Sequence, residues 1–77
     1  MKEILILGTG CAKCEKLYEN VRQATALLGM DCIIKKITDM QEIMKHGVAM
    51  TPGLVIDGEV KLSGKVPSVD ELKNMLV

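Results

Sequence analysis

Two cysteines near the start of the chain, Cys11 and Cys14, carry its strongest chemical signal. They follow an apolar run and a Gly-Thr-Gly turn in the segment ILILGTGCAKCEKL, residues 4–17, at the spacing C-x-x-C. Two thiols at this spacing can exchange disulfides, bind a soft metal ion, or fill apolar space as small side chains. The elements that position the two sulfur atoms decide among these three possibilities.

The residues on either side of the turn predict a buried strand followed by an amphipathic helix. The run EILIL, residues 3–7, ends at Gly8 and is typical of a strand buried on both faces. Helix-forming residues then predominate up to Gly29, a good helix stop. Apolar residues recur at intervals of three and four and define one helix face: Cys14, Leu17, Val21, Ala24 and Leu28.

The two cysteines occupy different positions on this predicted helix. Cys14 extends the buried stripe, whereas Cys11 lies at the strand-to-helix junction, so we expect an exposed Cys11 and a sheltered Cys14. The partial positive charge of a helix N-terminus favours a thiolate and lowers the pKa of Cys11. Lys13 adds a nearby positive charge. Such a pair suits disulfide exchange, in which Cys11 attacks a substrate disulfide and Cys14 resolves the mixed disulfide.

The middle of the chain predicts a second strand, a short helix and a hairpin. Residues 31–37 are rich in Ile and predict the strand, and the helix that follows ends at Gly47. We expect this helix to turn three residues inward: Met40, Ile43 and Met44. Two further strands, residues 54–56 and 60–62, flank Asp57-Gly58, the strongest short-range signal for a hairpin turn.

A final helix completes the predicted order β-α-β-α-β-β-α. Ser68 and Glu71 form a capping box that opens this helix, and its inward residues are Val69, Leu72 and Leu76. Strands that alternate with helices predict a parallel section of sheet, to which the hairpin adds an antiparallel edge. The sequence therefore predicts an α/β fold with a central mixed four-stranded sheet flanked by three helices.

Length and composition limit the classes of function. The 77 residues, 48% of them hydrophobic, predict one globular domain spanning 1–77. Zero net charge and a single aromatic residue argue against a nucleic-acid partner. No signal peptide or membrane segment is apparent, so we expect a cytoplasmic protein without a membrane partner. There a C-x-x-C pair is more often catalytic or metal-binding than structural, and a third cysteine, Cys32, makes the count odd.

Three segments resemble the thioredoxin-like superfamily, in particular its small redox-active disulfide proteins, also described as glutaredoxin-like. They are GTGCAKC after the first strand, TPGLVIDGEV after the second helix, and the final helix after LSGKVPS. The resemblance covers nearly the whole chain and implies a thioredoxin-like fold. It also implies a thiol–disulfide oxidoreductase that uses the Cys11–Cys14 redox-active disulfide and no other cofactor. Its partners would be protein disulfides and a reductant, either glutathione or a thioredoxin reductase-like protein.

The resemblance also assigns roles to Thr51 and Pro52. It implies a cis bond before Pro52, which faces the cysteines, and a Thr51 backbone that pairs with the substrate. The chain departs from the family pattern at four places. The motif interior is Ala12-Lys13, neither the Gly-Pro of thioredoxin nor the Pro-Tyr of glutaredoxin, and the glutathione-binding Asp pair of glutaredoxin is not clear after the last strand. Gly10 replaces the Trp that precedes the thioredoxin motif, and Leu5 falls near the position of the family's buried carboxylate.

Two other classes remain as alternatives. Copper-chaperone-type domains carry M-x-C-x-x-C after the first strand, but Thr9 stands in place of that Met and the chain ends on a helix. Two thiolates can still bind Cu(I) or Zn, although a structural zinc site needs four ligands. The two further candidate zinc ligands are better explained by other roles, Cys32 as an apolar strand residue and His46 as a helix-end cap. We therefore predict no structural metal site. The other class is a non-catalytic interaction module.

Overall fold

The computed structural model describes residues 1–10 and 12–77. Within these residues the elements follow the predicted order: β1 (Lys2–Leu7), α1 (Ala12–Leu28), β2 (Cys32–Ile37), α2 (Met40–Lys45), β3 (Gly53–Ile56), β4 (Glu59–Ser63) and α3 (Val69–Leu76). The strands form one sheet in the order β2-β1-β3-β4. β1 pairs with β2 in parallel and with β3 antiparallel, and β3 pairs antiparallel with β4. The predicted mixed α/β sheet is confirmed.

Two apolar clusters cover the two faces of the sheet. The first joins α1 and α3 to alternate residues of β1 and β3: Ile4, Ile6, Leu17, Val21, Ala24, Leu54, Ile56, Leu72 and Leu76. The second lies under α2 and is smaller: Leu5, Leu7, Ile43, Val48 and Val55. Because side chains alternate across a strand, β1 and β3 supply both clusters and are buried on both faces.

Helix α2 buries less than its sequence pattern predicts. Ile43 is 1% exposed, but Met40 and Met44 are 56% and 68% exposed, so the expectation that all three point inward was wrong for the two methionines. The helix has only six residues, fewer than two turns, and covers a cluster of five buried residues. Of these three side chains, only Ile43 packs into the cluster on the sheet, and both methionines lie at the edge of this cluster.

A buried amide joins α1 to the segment before α3. Asn20 is 7% exposed, and its side-chain NH₂ donates to the Pro67 carbonyl oxygen at 3.0 Å. We expect Asn20→Ala to lower the free energy of unfolding by about 1–3 kcal/mol, because the Pro67 carbonyl would lose its partner. Urea unfolding measures this loss. Gln23→Ala, at an exposed position of the same helix, is the matched control and should have little effect.

The predicted capping box of α3 is present. The Glu71 backbone N–H donates to Ser68 Oγ at 3.2 Å, and the Ser68 backbone N–H donates to Glu71 Oε1 at 3.0 Å. This second bond stabilises the ionised carboxylate and holds the pKa of Glu71 below its ordinary value of 4.5. The carboxylate therefore contributes stability above about pH 4.5, and this contribution is lost as the pH falls through the lower folded-state pKa.

We expect Glu71→Gln to reduce stability more at neutral pH than in acid. The urea midpoint of the wild type should exceed that of the variant at pH 7, and the difference should shrink as the pH falls through the lowered folded-state pKa of Glu71. A midpoint difference that does not change with pH would show that the charge of Glu71 plays no part.

Candidate dithiol site

The topology brings three separate segments to one edge of the sheet. β1 and β2 are parallel and end side by side at Leu7 and Ile37, and β3 begins at Gly53, opposite Leu7. The turn after β1 is joined to the end of β2, since the Gly8 N–H donates to the Ile37 carbonyl at 2.9 Å. The start of α1 and the segment before β3 therefore lie next to that turn.

Cys14 lies in the first turn of α1 and is buried at this edge. It is 5% exposed, as its place on the apolar stripe predicts. A Cβ atom built on Gly8 would overlap the Cys14 sulfur atom and would lie 4.0 Å from Pro52 Cα. The absence of a side chain at Gly8 is thus what allows the sulfur atom to lie against the turn after β1.

Pro52 lies on the β3 side of Gly8, the residue against which the Cys14 sulfur packs. Its side chain is fully buried, and the Thr51–Pro52 peptide bond is cis. The Pro52 carbonyl accepts a hydrogen bond from the Gly64 N–H at 2.7 Å, which ties this segment to the end of β4. Thr51, which precedes Pro52, is half-buried, and Met50 before it is exposed.

Cys11, the predicted attacking thiol, lies outside the described residues. Lys13 is exposed on α1, and its influence on the pKa of Cys11 stays a prediction. Among residues 1–10 and 12–77, no group of three or more His, Cys, Asp or Glu side chains is arranged to hold a metal ion. His46 caps the end of α2, its backbone N–H donating to the Ile43 carbonyl at 3.2 Å, as the sequence predicts.

Cys32 and Cys14 lie at opposite ends of the parallel strands β1 and β2. Cys32 opens β2, where it pairs with Lys2, whereas the site lies at the Ile37 end of the same strand. Cys32 and Ile37 are five residue steps apart along the strand, about 17 Å. Cys32 is half-buried and packs against the cluster under α1 and α3, in agreement with its predicted apolar role.

Two charged residues that sequence analysis did not select line a small cleft beside Cys14. The cleft has a volume of about 20 Å³ and is also bordered by Gly8, Gly10 and Thr38. Lys36 Nζ lies 3.0 and 2.9 Å from the two carboxylate oxygens of Glu15 and 4.3 Å from the centre of the Tyr18 ring. Glu15 follows Cys14 directly in the sequence, but the approach of Lys36 depends on the register of β2 against β1.

An apolar groove adjoins the site on the side of Thr51. Its volume is about 490 Å³, and it is lined by Met40, Ile43, Met44, Gly47, Val48, Ala49 and Thr51. The two exposed methionines of α2 border this groove. Flexible thioether side chains adapt to differently shaped apolar partners, so the groove offers an adaptable contact surface next to Pro52.

Comparison with known families matches residues 2–77 to the thioredoxin domain. The chain belongs to the thioredoxin family. Two curated relatives, each named thioredoxin, are similar over almost all of its length. One, from Methanothermobacter thermautotrophicus, is 45% identical over 76 residues, which cover 99% of both chains. The other, from Methanocaldococcus jannaschii, is 47% identical over 76 residues, which cover 99% of this chain and 87% of the relative.

Membership of the thioredoxin family confirms the fold expected from the sequence and supports thiol–disulfide oxidoreductase chemistry in general. The thioredoxin domain places Cys14, Gly8 and Pro52 together at the end of β1. None of the helices in the described part of this thioredoxin-family chain has the length and apolar character that a membrane crossing requires.

Proposed function

We propose that the chain acts as a single domain that reduces or exchanges protein disulfides through the Cys11–Cys14 dithiol. The observation that carries this proposal is the buried Cys14 sulfur, held against Gly8 and beside Pro52 at the start of α1, in a chain of the thioredoxin family. A sheltered thiol in the first turn of a helix suits the resolving step, because it reacts only with a disulfide formed beside it.

The proposed reaction has two steps. The Cys11 thiolate attacks a substrate disulfide, forming a mixed disulfide and releasing one substrate sulfur as a thiolate. Cys14 then loses its proton and attacks Cys11, which forms the Cys11–Cys14 disulfide and releases the second substrate sulfur. The dithiol is oxidised by two electrons and the substrate disulfide is reduced to two thiols.

Protein segments are the proposed substrates, and Thr51 and the groove beside it are the proposed contacts. The groove has room for apolar side chains next to Thr51. We propose that an extended substrate segment pairs with the Thr51 backbone while a neighbouring side chain enters the groove. The Pro52 carbonyl accepts a hydrogen bond from the Gly64 N–H at 2.7 Å, which holds this segment in place beside Thr51.

A reductant must return the disulfide to the dithiol, and no other cofactor is needed for this cycle. We propose a thioredoxin reductase-like protein or glutathione as its source, and the cytoplasm as the compartment, because a reducing dithiol works where thiols are kept reduced. The protein would then carry two electrons between that reductant and protein disulfides and contribute to cellular redox homeostasis.

Insulin reduction tests the proposed function. Purified protein should accelerate the reduction of insulin disulfides by dithiothreitol, and a Cys32→Ser variant should retain the full rate because that thiol lies at the other edge of the sheet. Parallel assays with glutathione or a thioredoxin reductase identify the electron donor. Stoichiometric Cu(I) or Zn in protein isolated from cells, together with no turnover on any disulfide, would favour the metal-transfer alternative.

A further inference from the structure

The methionines of the chain differ in their surroundings, and three exposed ones gather around the segment before β3. Met30 and Met75 are half-buried and pack against the cluster under α1 and α3. Met1 precedes β1, at the end of that strand away from Gly8. The remaining three are between 56% and 68% exposed and either line the groove or adjoin Thr51: Met40, Met44 and Met50. Single exposed apolar side chains are ordinary, but a group of three at one place indicates a contact surface.

All three thioethers belong to the surface on which the proposed substrate segment would lie. Met40 and Met44 are four residues apart on α2, so they share one helix face, and both line the groove that Thr51 also lines. Met50 directly precedes Thr51. A Cβ atom built on Gly64 would lie 3.2 Å from Met50 Cβ and 3.6 Å from its sulfur atom, so the Met50 side chain covers Gly64. Thioethers therefore lie along the groove and over the residue that follows β4.

A thioether differs from the other apolar side chains in that an oxidant converts it to a polar, chiral sulfoxide. The three exposed methionines are open to a small oxidant in water, whereas Met30 and Met75 are sheltered by the core. In the free protein water would hydrate each sulfoxide oxygen at these exposed positions, so the fold loses little stability. An apolar substrate side chain that enters the groove would remove this water without supplying a hydrogen bond, which costs binding free energy.

We propose that Met40, Met44 and Met50 are sites of oxidation by hydrogen peroxide, and that their sulfoxides close the groove to apolar substrate segments. The proposal rests on the proposed function, in which a substrate side chain enters the groove, and it adds a regulation of substrate binding. The dithiol lies outside the modified surface, so oxidation raises the KM for a protein disulfide and leaves kcat nearly unchanged.

Each oxidation transfers one oxygen atom and two electrons. A lone pair of the methionine sulfur attacks one oxygen of the peroxide, the O–O bond breaks and an S–O bond forms. The transferred oxygen gives its proton to the other oxygen, which leaves as water. The thioether is thereby oxidised and the peroxide reduced. A methionine sulfoxide reductase supplied with a thiol reductant reverses the change.

Peroxide treatment of the disulfide form tests the proposal, in a Cys32→Ser background that leaves only the two motif cysteines. The Cys11–Cys14 disulfide protects both sulfur atoms from peroxide, and dithiothreitol then restores the dithiol without reducing sulfoxides. Mass spectrometry of proteolytic fragments should show oxidation at the three exposed methionines well before Met30 and Met75. At that stage the KM for insulin should rise about tenfold, because the sulfoxides lose water without gaining a partner. The urea midpoint should be unchanged.

Binding of the dye anilinonaphthalene sulfonate reports on the groove without any redox reaction. The dye binds exposed apolar surface, and a groove of about 490 Å³ suits a molecule of its size. Its fluorescence in the presence of the untreated protein should fall once the three methionines are oxidised.

A triple variant separates the sulfoxides from other effects of peroxide. Met40→Leu, Met44→Leu and Met50→Leu together keep apolar side chains of similar volume but remove the oxidisable sulfur atoms. Peroxide should leave the KM and dye binding of this variant at its own untreated values. Met75→Leu is the matched control: Met75 packs against the core, so this variant should stay as sensitive to peroxide as the parent.

Sulfoxides at all three positions with an unchanged KM and unchanged dye binding would overturn the proposal. Oxidation of Met30 and Met75 as fast as the exposed three would also overturn it, as would an equal rise in KM in the triple variant. A protein that reduces no insulin before treatment, but loses dye binding when the three methionines are oxidised, would sustain the modification site while rejecting the proposed function.

Discussion

Cys14→Ser should turn the protein from a catalyst of disulfide reduction into a trap for its substrate. Cys11 would still attack a disulfide, but the serine hydroxyl that replaces the buried thiol cannot resolve the mixed disulfide at neutral pH. Insulin-reduction turnover should fall below about 1% of the wild-type rate, because the exchange cycle needs both sulfur atoms. Mass spectrometry of the unreduced protein should show a substrate adduct that dithiothreitol removes.

Two matched variants assign the adduct to Cys11. Cys11→Ser should be equally inactive but should form no adduct, and Cys32→Ser should retain turnover. If alkylation of the reduced wild type labels Cys14 faster than Cys11, or if Cys14→Ser keeps its turnover, the assigned roles of the two thiols are wrong.

The local parts of the fold could be read from residue types and spacing. The apolar stripe of α1 predicted that Cys14 would be buried, and it is 5% exposed. Asp57-Gly58 predicted the hairpin turn between β3 and β4, where both residues adopt positive φ, 50° and 84°. These features depend on residues close together in the chain, so each follows from a short segment of sequence.

Features that depend on contacts between distant segments were not predictable in the same way. The Glu15–Lys36 pair joins residues 21 positions apart and requires the parallel register that sets Lys36 against Ile6. Similarly, the exposure of Met40 and Met44 depends on how little sheet area α2 covers, which helical spacing alone does not reveal. The contact of Gly8 with Cys14 also depends on the tertiary fold, because it is set by how the first turn of α1 packs against the end of β1.

Gly8→Ala should impair the candidate site, because it adds a methyl group where the Cys14 sulfur atom lies. The new Cβ would overlap the Cys14 sulfur atom and would lie 3.0 Å from Cys14 Cβ, so α1 or the turn after β1 must shift. Overpacking of this kind costs about 1–3 kcal/mol of unfolding free energy. A displacement of the sulfur by about 1 Å should slow resolution of the mixed disulfide about 100-fold.

A double-mutant cycle distinguishes this steric conflict from a general effect of alanine. In a Cys14→Ala background the sulfur is gone, so Gly8→Ala should cost clearly less stability in urea unfolding than it does in the wild type. Gly29→Ala is the control: Gly29 has a φ of +63° and open space around its Cβ position, beyond the far end of α1. Its cost arises from backbone conformation and should be the same with or without the Cys14 sulfur, while resolution by Cys14 keeps its normal rate. Equal costs for Gly8→Ala in both backgrounds would show that the sulfur is not what excludes a side chain from position 8.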